Sequence, residues 1–245
     1  MKKTFRLISI LAACVVSATP AVAHAQIWTS WTLPGSCPGT VVNGSIGATS
    51  VQLTTSSGQY AGVMNASGAA CGGLSPYSTS APNPPYNFWS PGAPYAGLAP
   101  SNPGIVQFVG PLRAIITFAT PIENPVLAFN SLGNLTGPNP VTLTFSDPFS
   151  VLGDNTTNAG YWGTGTYSVL GNTLTGNEFA GLIRFNGIYS TLTFETTDAE
   201  NWSGFTVGQD TSTVPEPSTY ALMLSGLAAI GMVARRRKRQ GQTPQ

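Results

Sequence analysis

The chain has 245 residues, of which 42% are hydrophobic and only 8% are charged, a length that suits one domain with appended segments. The formal net charge of +1 hides an uneven distribution, because residues 26–212 hold eight acidic and two basic residues, a net charge of −6. The remaining basic residues lie at the two ends of the chain. A body with this charge has no cationic surface to neutralise phosphates, which excludes nucleic acid as a partner.

Residues 1–25 have the features of a cleaved secretory signal peptide: a basic start, an apolar stretch and a small-residue cleavage region. Cleavage is possible after Ala23 or after Ala25, and we favour the second site, which makes Gln26 the first residue of the mature chain. The residues before Cys14 form an alternative lipoprotein box. Cleavage there would leave a shorter apolar region than a signal peptide needs.

Loss of the leader removes Cys14 and leaves two cysteines, Cys37 and Cys71. An even pair of cysteines in an exported protein predicts a disulfide bond. The alternative is two independent buried thiols, and two cysteines without histidine make a poor metal site.

The body, residues 26–212, is predicted to be an all-β domain, an antiparallel β-sandwich of jelly-roll-like type. Short segments rich in β-branched and aromatic residues show period-2 alternation, and turn residues separate them at the spacing of a sandwich. No amphipathic helix of useful length precedes the C-terminal segment. The predicted strand regions, in chain order, are 41–53, 105–120, 126–132, 141–152, 165–176, 179–187, 189–198 and 201–208.

Residues 76–104 differ from the rest of the body because they contain eight prolines among several aromatic residues. Proline cannot donate to a strand ladder, so this segment is predicted to be a loop or an irregular covering. Its aromatic rings, with two more near residue 160, are candidates for stacking on sugar rings; alternatively they cap the core. The candidate residues are Tyr86, Trp89, Tyr161 and Trp162.

The body lacks the groups that most catalytic sites need. The only histidine in the chain is His24, beside the predicted cleavage site, and residues 26–212 contain no lysine. A nucleophile activated by histidine and a histidine-containing zinc site are therefore excluded. We predict no catalytic residue, no metal site, no cofactor and no enzymatic activity.

Carboxylates leave two chemical alternatives open. A glycan hydrolase needs only two carboxyl groups at a suitable separation. Calcium prefers oxygen ligands, although neither of the two candidate clusters has the spacing of a recognised calcium loop. The carboxylates for hydrolysis are Glu123, Glu178, Glu195 and Glu200, and the candidate calcium ligands are Asp147, Asp154 and Asn155, or Asp198 and Glu200.

The C-terminal segment, residues 213–240, has three parts in a fixed order. A Pro-Glu-Pro step precedes an apolar stretch, residues 219–234, which a run of basic residues follows. As a helix the apolar stretch is about 24 Å long, and Tyr220 and the basic run suit it to span a bilayer despite its short length. The basic residues predict a cytoplasmic end and a body outside the membrane; they are Arg235, Arg236, Arg237, Lys238 and Arg239.

Val214, Pro215, Glu216 and Pro217, with the helix and the basic cluster behind them, resemble the PEP-CTERM sorting signal of Gram-negative bacteria. The resemblance implies transient anchoring in the inner membrane and processing near Pro215–Pro217 by exosortase, an integral-membrane enzyme. The stretches "GYWGTG" (160–165) and "ENWSGFTVG" (200–208) are similar to a group of PEP-CTERM proteins, which implies a place in exopolysaccharide, biofilm or floc at the cell surface.

These observations lead to three functional hypotheses. The first is a non-enzymatic structural or adhesive protein of the cell surface or extracellular matrix. The second is a carbohydrate-binding module that uses the four aromatic candidates. The third is a glycan hydrolase that depends on carboxylates alone.

Overall fold

The structure, a computed structural model, describes residues 24–35, 39–57, 60–65, 68–70, 98, 100, 104–133, 140–157, 163–200 and 202–212, and five residues of the tail. The chain divides into two compact units. One comprises His24–Ser212, and the other comprises Met1–Ala23 with Thr213–Gln245. The fold below is that of the first unit, called the body.

The body is built from strands alone. Sixteen strands follow one another in the described part of the chain, and all of their pairings are antiparallel. They are β1 (His24–Trp28), β2 (Ser30–Trp31), β3 (Val41–Ile46), β4 (Thr49–Ser57), β5 (Tyr60–Asn65), β6 (Gly68–Ala70), β7 (Ile105–Phe108), β8 (Leu112–Glu123), β9 (Pro125–Leu132), β10 (Val141–Phe145), β11 (Ser150–Asp154), β12 (Thr166–Leu170), β13 (Thr173–Asn177), β14 (Phe179–Arg184), β15 (Ile188–Thr196) and β16 (Ser203–Ser212).

These strands form two eight-stranded sheets. The first sheet has the order β11-β14-β9-β16-β7-β5-β6, with β1 paired to β16 outside this path. The second sheet has the order β12-β13-β10-β15-β8-β4-β3-β2. From β7 to β11 each successive strand lies in the other sheet, so the chain crosses repeatedly between the two layers.

The inner faces of the two sheets share one apolar core. Phe129 and Phe205 come from the first sheet, and Phe145 and Phe194 come from the second. The ring of Phe129 lies 5.9 Å from that of Phe194 and 6.3 Å from that of Phe145. Such edge-on contacts add to the burial of the rings. The two sheets therefore pack face to face, as a sandwich requires, while the jelly-roll connectivity remains a prediction.

The all-β prediction is confirmed, but several predicted strand regions contain two strands. Region 41–53 contains the β3–β4 hairpin, with a turn at Gly47 where φ is +55°. Regions 105–120 and 141–152 each divide into one strand in the first sheet and one in the second. Both crossings carry turn residues, Gly110-Pro111 and Asp147-Pro148, but alternation alone does not show that the chain changes sheets there.

Four strands, β1, β2, β5 and β6, were not predicted, and the first two of them join the two layers. β1 pairs with β16 in the first sheet and β2 pairs with β3 in the second, with the buried Thr29 between them. Trp31 of β2 is 1% exposed, and its indole N–H donates to Thr206 Oγ1 of β16 at 3.0 Å. This hydrogen bond joins a strand of the second sheet to a strand of the first.

A second apolar cluster covers the outer face of the first sheet. Alternate residues of β9 belong to different clusters, with Leu127 in the shared core and Ala128 in the second cluster. Leu98 packs against this second cluster, and Pro100 is buried without regular structure. Both residues belong to the proline-rich segment 76–104, whose predicted irregular covering role they support. Most of that segment lies outside the described residues.

The structure describes only five residues of the predicted membrane helix, and all five have helical backbone. Within the described residues, no helix is both long enough and apolar enough to cross a membrane. Met223, Leu227 and Ile230 are exposed. The predicted leader, residues 1–25, lies almost wholly outside the described part of the chain.

Candidate functional site

The two ends of the body lie side by side in one strand ladder. β1 and β16 run antiparallel, with His24 opposite Ser212 and Gln26 opposite Asp210. The predicted leader therefore ends on β1, opposite the last residues of β16. The sequence motif at Val214 starts two residues beyond the last residue of β16.

A polar network holds this junction together. The side chain of Asp210 is 2% exposed and lies 3.1 Å from the guanidinium of Arg184, one of the two basic residues of the body. The other carboxylate oxygen of Asp210 accepts a hydrogen bond from Gln26 Nε2 at 3.1 Å. A buried carboxylate is tolerated when it is paired and hydrogen-bonded, and Asp210 meets both conditions. The network ties the first residues of the predicted mature chain to its last strand.

Asn155, one of the candidate calcium ligands, has a structural role instead. It is 1% exposed, and its amide donates to the carbonyls of Gly163 and Glu178 at 3.0 and 2.9 Å. Its Oδ1 accepts the backbone N–H of Ala180 at 2.9 Å. Both polar atoms of the side-chain amide are thus hydrogen-bonded to backbone groups. Its oxygen is therefore occupied by the N–H of Ala180 and is not a free metal ligand.

The neighbouring carboxylate of Asp154 is also occupied. It accepts hydrogen bonds from the hydroxyl and the backbone N–H of Thr156 and, at 3.3 Å, from the hydroxyl of Tyr167. Burial raises the pKa of Asp154, but these hydrogen bonds to its ionised form outweigh burial and lower the pKa below its ordinary value. Burial, together with the nearby charge of Asp154, raises the pKa of Tyr167.

The remaining calcium candidates do not form a cluster. Asp147 precedes β11 and Asp154 ends it, so a five-residue strand separates the two carboxylates. Asp198 accepts the backbone N–H of Thr142 at 2.7 Å, and Glu200 accepts the backbone N–H of Gly133 at 2.8 Å. Nowhere among the described residues do three or more His, Cys, Asp or Glu side chains come together in a way that could hold a metal ion.

Two of the four hydrolase carboxylates, Glu123 and Glu195, lie far apart on the same ladder. On the β8–β15 ladder, Glu123 is opposite Ile188 and Glu195 is opposite Arg113. Seven residues of strand place these two acids roughly 23 Å apart, whereas hydrolysis requires a separation of at most about 9.5 Å. Glu195 instead pairs with Arg113, at 3.7 Å on the exposed face.

Glu178 and Glu200 lie closer together, near Gly133. Glu178 precedes Phe179, which is opposite Leu132, and Glu200 binds the N–H of Gly133. Glu200 is 7% exposed, and its second oxygen accepts the N–H of Trp202 at 3.2 Å. Both oxygens of Glu200 therefore have backbone donors. Glu200 thus links the end of β9 to the start of β16.

The remaining predicted site residues lie outside the described residues. They are the sorting motif Val214, Pro215, Glu216 and Pro217, the basic cluster Arg235, Arg236, Arg237, Lys238 and Arg239, the cysteines Cys37 and Cys71, and the aromatic candidates Tyr86, Trp89, Tyr161 and Trp162. The disulfide, the stacking surface and the processing site accordingly stay predictions from the sequence.

Comparison with known proteins identifies the C-terminal segment. Residues 213–238 match the protein-family model described as the PEP-CTERM protein-sorting motif. No curated protein and no solved structure matches the chain. The motif places the chain in the class of exported proteins that are anchored at the membrane by their C-terminus. More particularly, the chain carries a PEP-CTERM sorting motif, which implies processing by exosortase.

Sequence reasoning missed the residues that join the termini of the body. Gln26, Asp210 and Arg184 are far apart in the chain and belong to no recognised motif. The one available signal was the scarcity of basic residues, because an isolated arginine in an acidic body needs a carboxylate partner if it is partly buried. Which of the eight acids supplies that carboxylate depends on strand register.

Proposed function

We propose that the body is a non-enzymatic structural or adhesive component of the cell surface or extracellular matrix, associated with exopolysaccharide or biofilm. The PEP-CTERM motif at residues 213–238 carries the proposal, because a motif of this kind directs the attached β-domain to the cell surface. In the membrane-held form the body lies on the periplasmic side of the inner membrane. After processing at Pro215–Pro217, it is released or attached at the surface.

The chemistry of the body supports a role without catalysis. Residues 26–212 have no histidine and no lysine to act as a general base. Asp198, Glu200, Asp154 and Asp210 use their carboxylates to hold backbone groups or side chains of neighbouring strands. These contacts stabilise the frame of the domain.

The processing step is tested by replacing Pro215, Glu216 and Pro217 with alanine in the full chain. We expect the variant to remain in the membrane at the mass of the unprocessed form, because the motif that the enzyme recognises is gone. Mass spectrometry of the C-terminus, in cells with and without the processing enzyme, measures this directly. Ser218→Ala with Thr219→Ala is the matched control and should be processed normally. Normal processing of the triple-alanine variant would refute the sorting mechanism.

The role of the body is tested by deletion of the gene and by polysaccharide retention. A structural component predicts a biofilm or aggregation defect on deletion, with no release of reducing ends from the matrix. Retention on immobilised polysaccharide that falls in Trp89→Ala or Trp162→Ala would instead favour the carbohydrate-binding alternative. Release of reducing ends, abolished by a single Glu→Gln substitution, would favour the hydrolase.

A further inference from the structure

The strands at the sheet edges differ in how well they are protected against pairing with another chain. Exposed strand edges offer unpaired N–H and C=O groups, and proteins usually block them by short length, bulges, charge or proline. β2 and β6 have only two and three residues. β11 carries the charge of Asp154, and its register shifts between Val151 and Gly153, as in a bulge. These three edges are protected.

The fourth edge strand, β12, has none of these devices. It has five residues, its register with β13 is continuous, and the whole hairpin from Thr166 to Asn177 contains no charged residue and no proline. Val169 is 43% exposed and Leu170 is 84% exposed. β1 also has a single partner, but it begins in the predicted cleavage region of the leader, so its length in the mature chain depends on the cleavage site.

The hairpin turn determines which backbone groups of β12 face the open edge. Leu170 and Thr173 flank a two-residue turn that contains Gly171, where φ is +59°. Residues that flank such a turn exchange hydrogen bonds, and alternate residues along the strand do the same. Thr166, Ser168 and Leu170 therefore direct their backbone groups to β13. Tyr167 and Val169 direct theirs outward.

We propose that this edge pairs with the same edge of a second copy of the chain. In an antiparallel arrangement with a two-fold axis at Ser168, Tyr167 of each copy lies opposite Val169 of the other. Both residues have outward-facing N–H and C=O groups, so the two copies form four backbone hydrogen bonds and join their sheets.

The side chains suit this register. Tyr167 packs toward the core, with its ring 5.0 Å from that of Phe179, and alternation places Val169 on the same inner face. Each Tyr167 then meets a Val169, and aromatic residues pair well with β-branched residues across strands. On the outer face, the exposed Leu170 of one copy covers Thr166 of the other. No charge on either hairpin opposes their approach.

The contact is small compared with the interfaces of about 1,200–2,000 Å² that hold stable complexes together. It therefore acts when copies are concentrated on one surface, where a weak contact gains effective concentration. The inference deepens the proposed structural role and rests on that role for its biological purpose. A two-fold dimer of this kind presents two bodies to the matrix.

Cysteine cross-linking in the full chain tests the register. Ser168 lies on the two-fold axis, so Ser168→Cys should form a disulfide-linked dimer when exporting cells are treated with a mild oxidant. Thr166→Cys is the control, because its copies lie roughly 13 Å apart in this register and a disulfide requires Cα atoms within about 7 Å. We expect about tenfold more dimer for Ser168→Cys than for Thr166→Cys or the unsubstituted chain on non-reducing gels. Equal yields would overturn the proposal.

A charged edge gives an independent measurement. Adding Val169→Lys to the Ser168→Cys chain should reduce the dimer about tenfold, since the two lysines would be diagonal neighbours on the same face of the pairing edge and would repel each other. Ile188→Lys is the matched control, because Ile188 is 74% exposed but begins a central strand. Protease resistance of the body shows that each variant is folded. Undiminished dimer in the Val169→Lys chain would also overturn the inference. A chain that dimerises, but whose deletion leaves the biofilm intact, refutes the proposed function and not the pairing.

Discussion

The two edge strands of the second sheet, β2 and β12, differ in how well they are protected against pairing with another chain. β2 has only two residues, and its Trp31 is buried and hydrogen-bonded to Thr206 in the other sheet. β12 has five residues in regular register, and four of them are exposed. One edge is closed by a buried side chain that is hydrogen-bonded to the other sheet, while β12 pairs with β13 alone among the described strands.

This difference shows that strand length and regularity do not measure how much an edge contributes to stability. The short edge makes the larger contribution, because a buried tryptophan removes a large apolar area from water. The long edge adds the partly buried Tyr167 to the core, and its outward-facing backbone groups are those that we propose to pair with a second copy. Three substitutions probe this contrast, in order of decreasing expected effect.

The largest effect is expected at the closed edge. Trp31→Ala should lower the free energy of unfolding by about 3–5 kcal/mol, because it leaves a cavity where the ring lay and removes the partner of Thr206. Urea unfolding of the exported, processed protein, followed by fluorescence, measures the loss. Trp31→Phe keeps a ring in the core and should cost about 1–2 kcal/mol. If Trp31→Ala unfolds at the same urea concentration as the unsubstituted protein, the closed edge does not stabilise the body.

An intermediate effect is expected beneath the open edge, at Asn155. This residue accepts the N–H of Ala180, binds the carbonyls of Gly163 and Glu178, and receives the N–H of Gly165 on its own carbonyl just before β12 begins. Asn155→Ala should cost about 2–3 kcal/mol, because it leaves buried backbone groups without partners. Asn43→Ala is the control, since the side chain of Asn43 is exposed, and it should change stability by less than about 0.5 kcal/mol. Equal midpoints for the two variants would contradict the assigned role.

The smallest effect concerns pH and the link between Asp154 and Tyr167 of β12. The pKa of Asp154 is lowered in the folded state, so its carboxylate stabilises the protein above the ordinary pKa of 3.8. This contribution is lost as the pH falls below 3.8 through the lower folded pKa, because the unfolded chain takes up the proton first. Asp154→Asn should therefore flatten the fall in stability over this acidic range, measured as melting temperature against pH.

Two further variants sharpen this measurement. Thr156→Val removes a hydroxyl donor to Asp154 and should weaken the same acidic slope in part. Tyr167→Phe removes the phenol donor but keeps the ring against Phe179. An acidic slope that is unchanged in Asp154→Asn would show that other carboxylates account for it.

The sequence predicted the class of the fold because period-2 alternation reports which side chains face a core. Leu143 and Phe145 on one side of β10, with Thr142 and Thr144 on the other, show this pattern clearly. Prediction was weaker where the chain changes sheets, as between β7 and β8, since the Gly110-Pro111 step marks a turn but not the sheet that the next strand joins. β1 and β2 were missed because Thr29, Ser30 and Thr32 interrupt the apolar pattern around Trp31.

The candidate site divides in the same way. Pro215, Glu216 and Pro217 form a linear motif with the apolar stretch and the basic residues that follow. Such a motif needs no folded partner and can be recognised in a single sequence. Asp154, Asn155 and Glu200 were grouped by residue type as metal ligands or acids. Their hydrogen bonds to distant backbone groups gave them structural roles instead, and such contacts depend on strand pairing across tens of residues.

The sequence alone predicted export and C-terminal processing of this protein, because sorting signals are linear segments that are recognised by their local composition. It also determined the all-β class, through the alternation of apolar and polar residues. Only the tertiary structure decided that Gln26 lies beside Asp210, that Trp31 joins the two sheets and that β12 forms an open edge. These features arise from strand register and sheet order, which long-range hydrogen bonding and core packing select together.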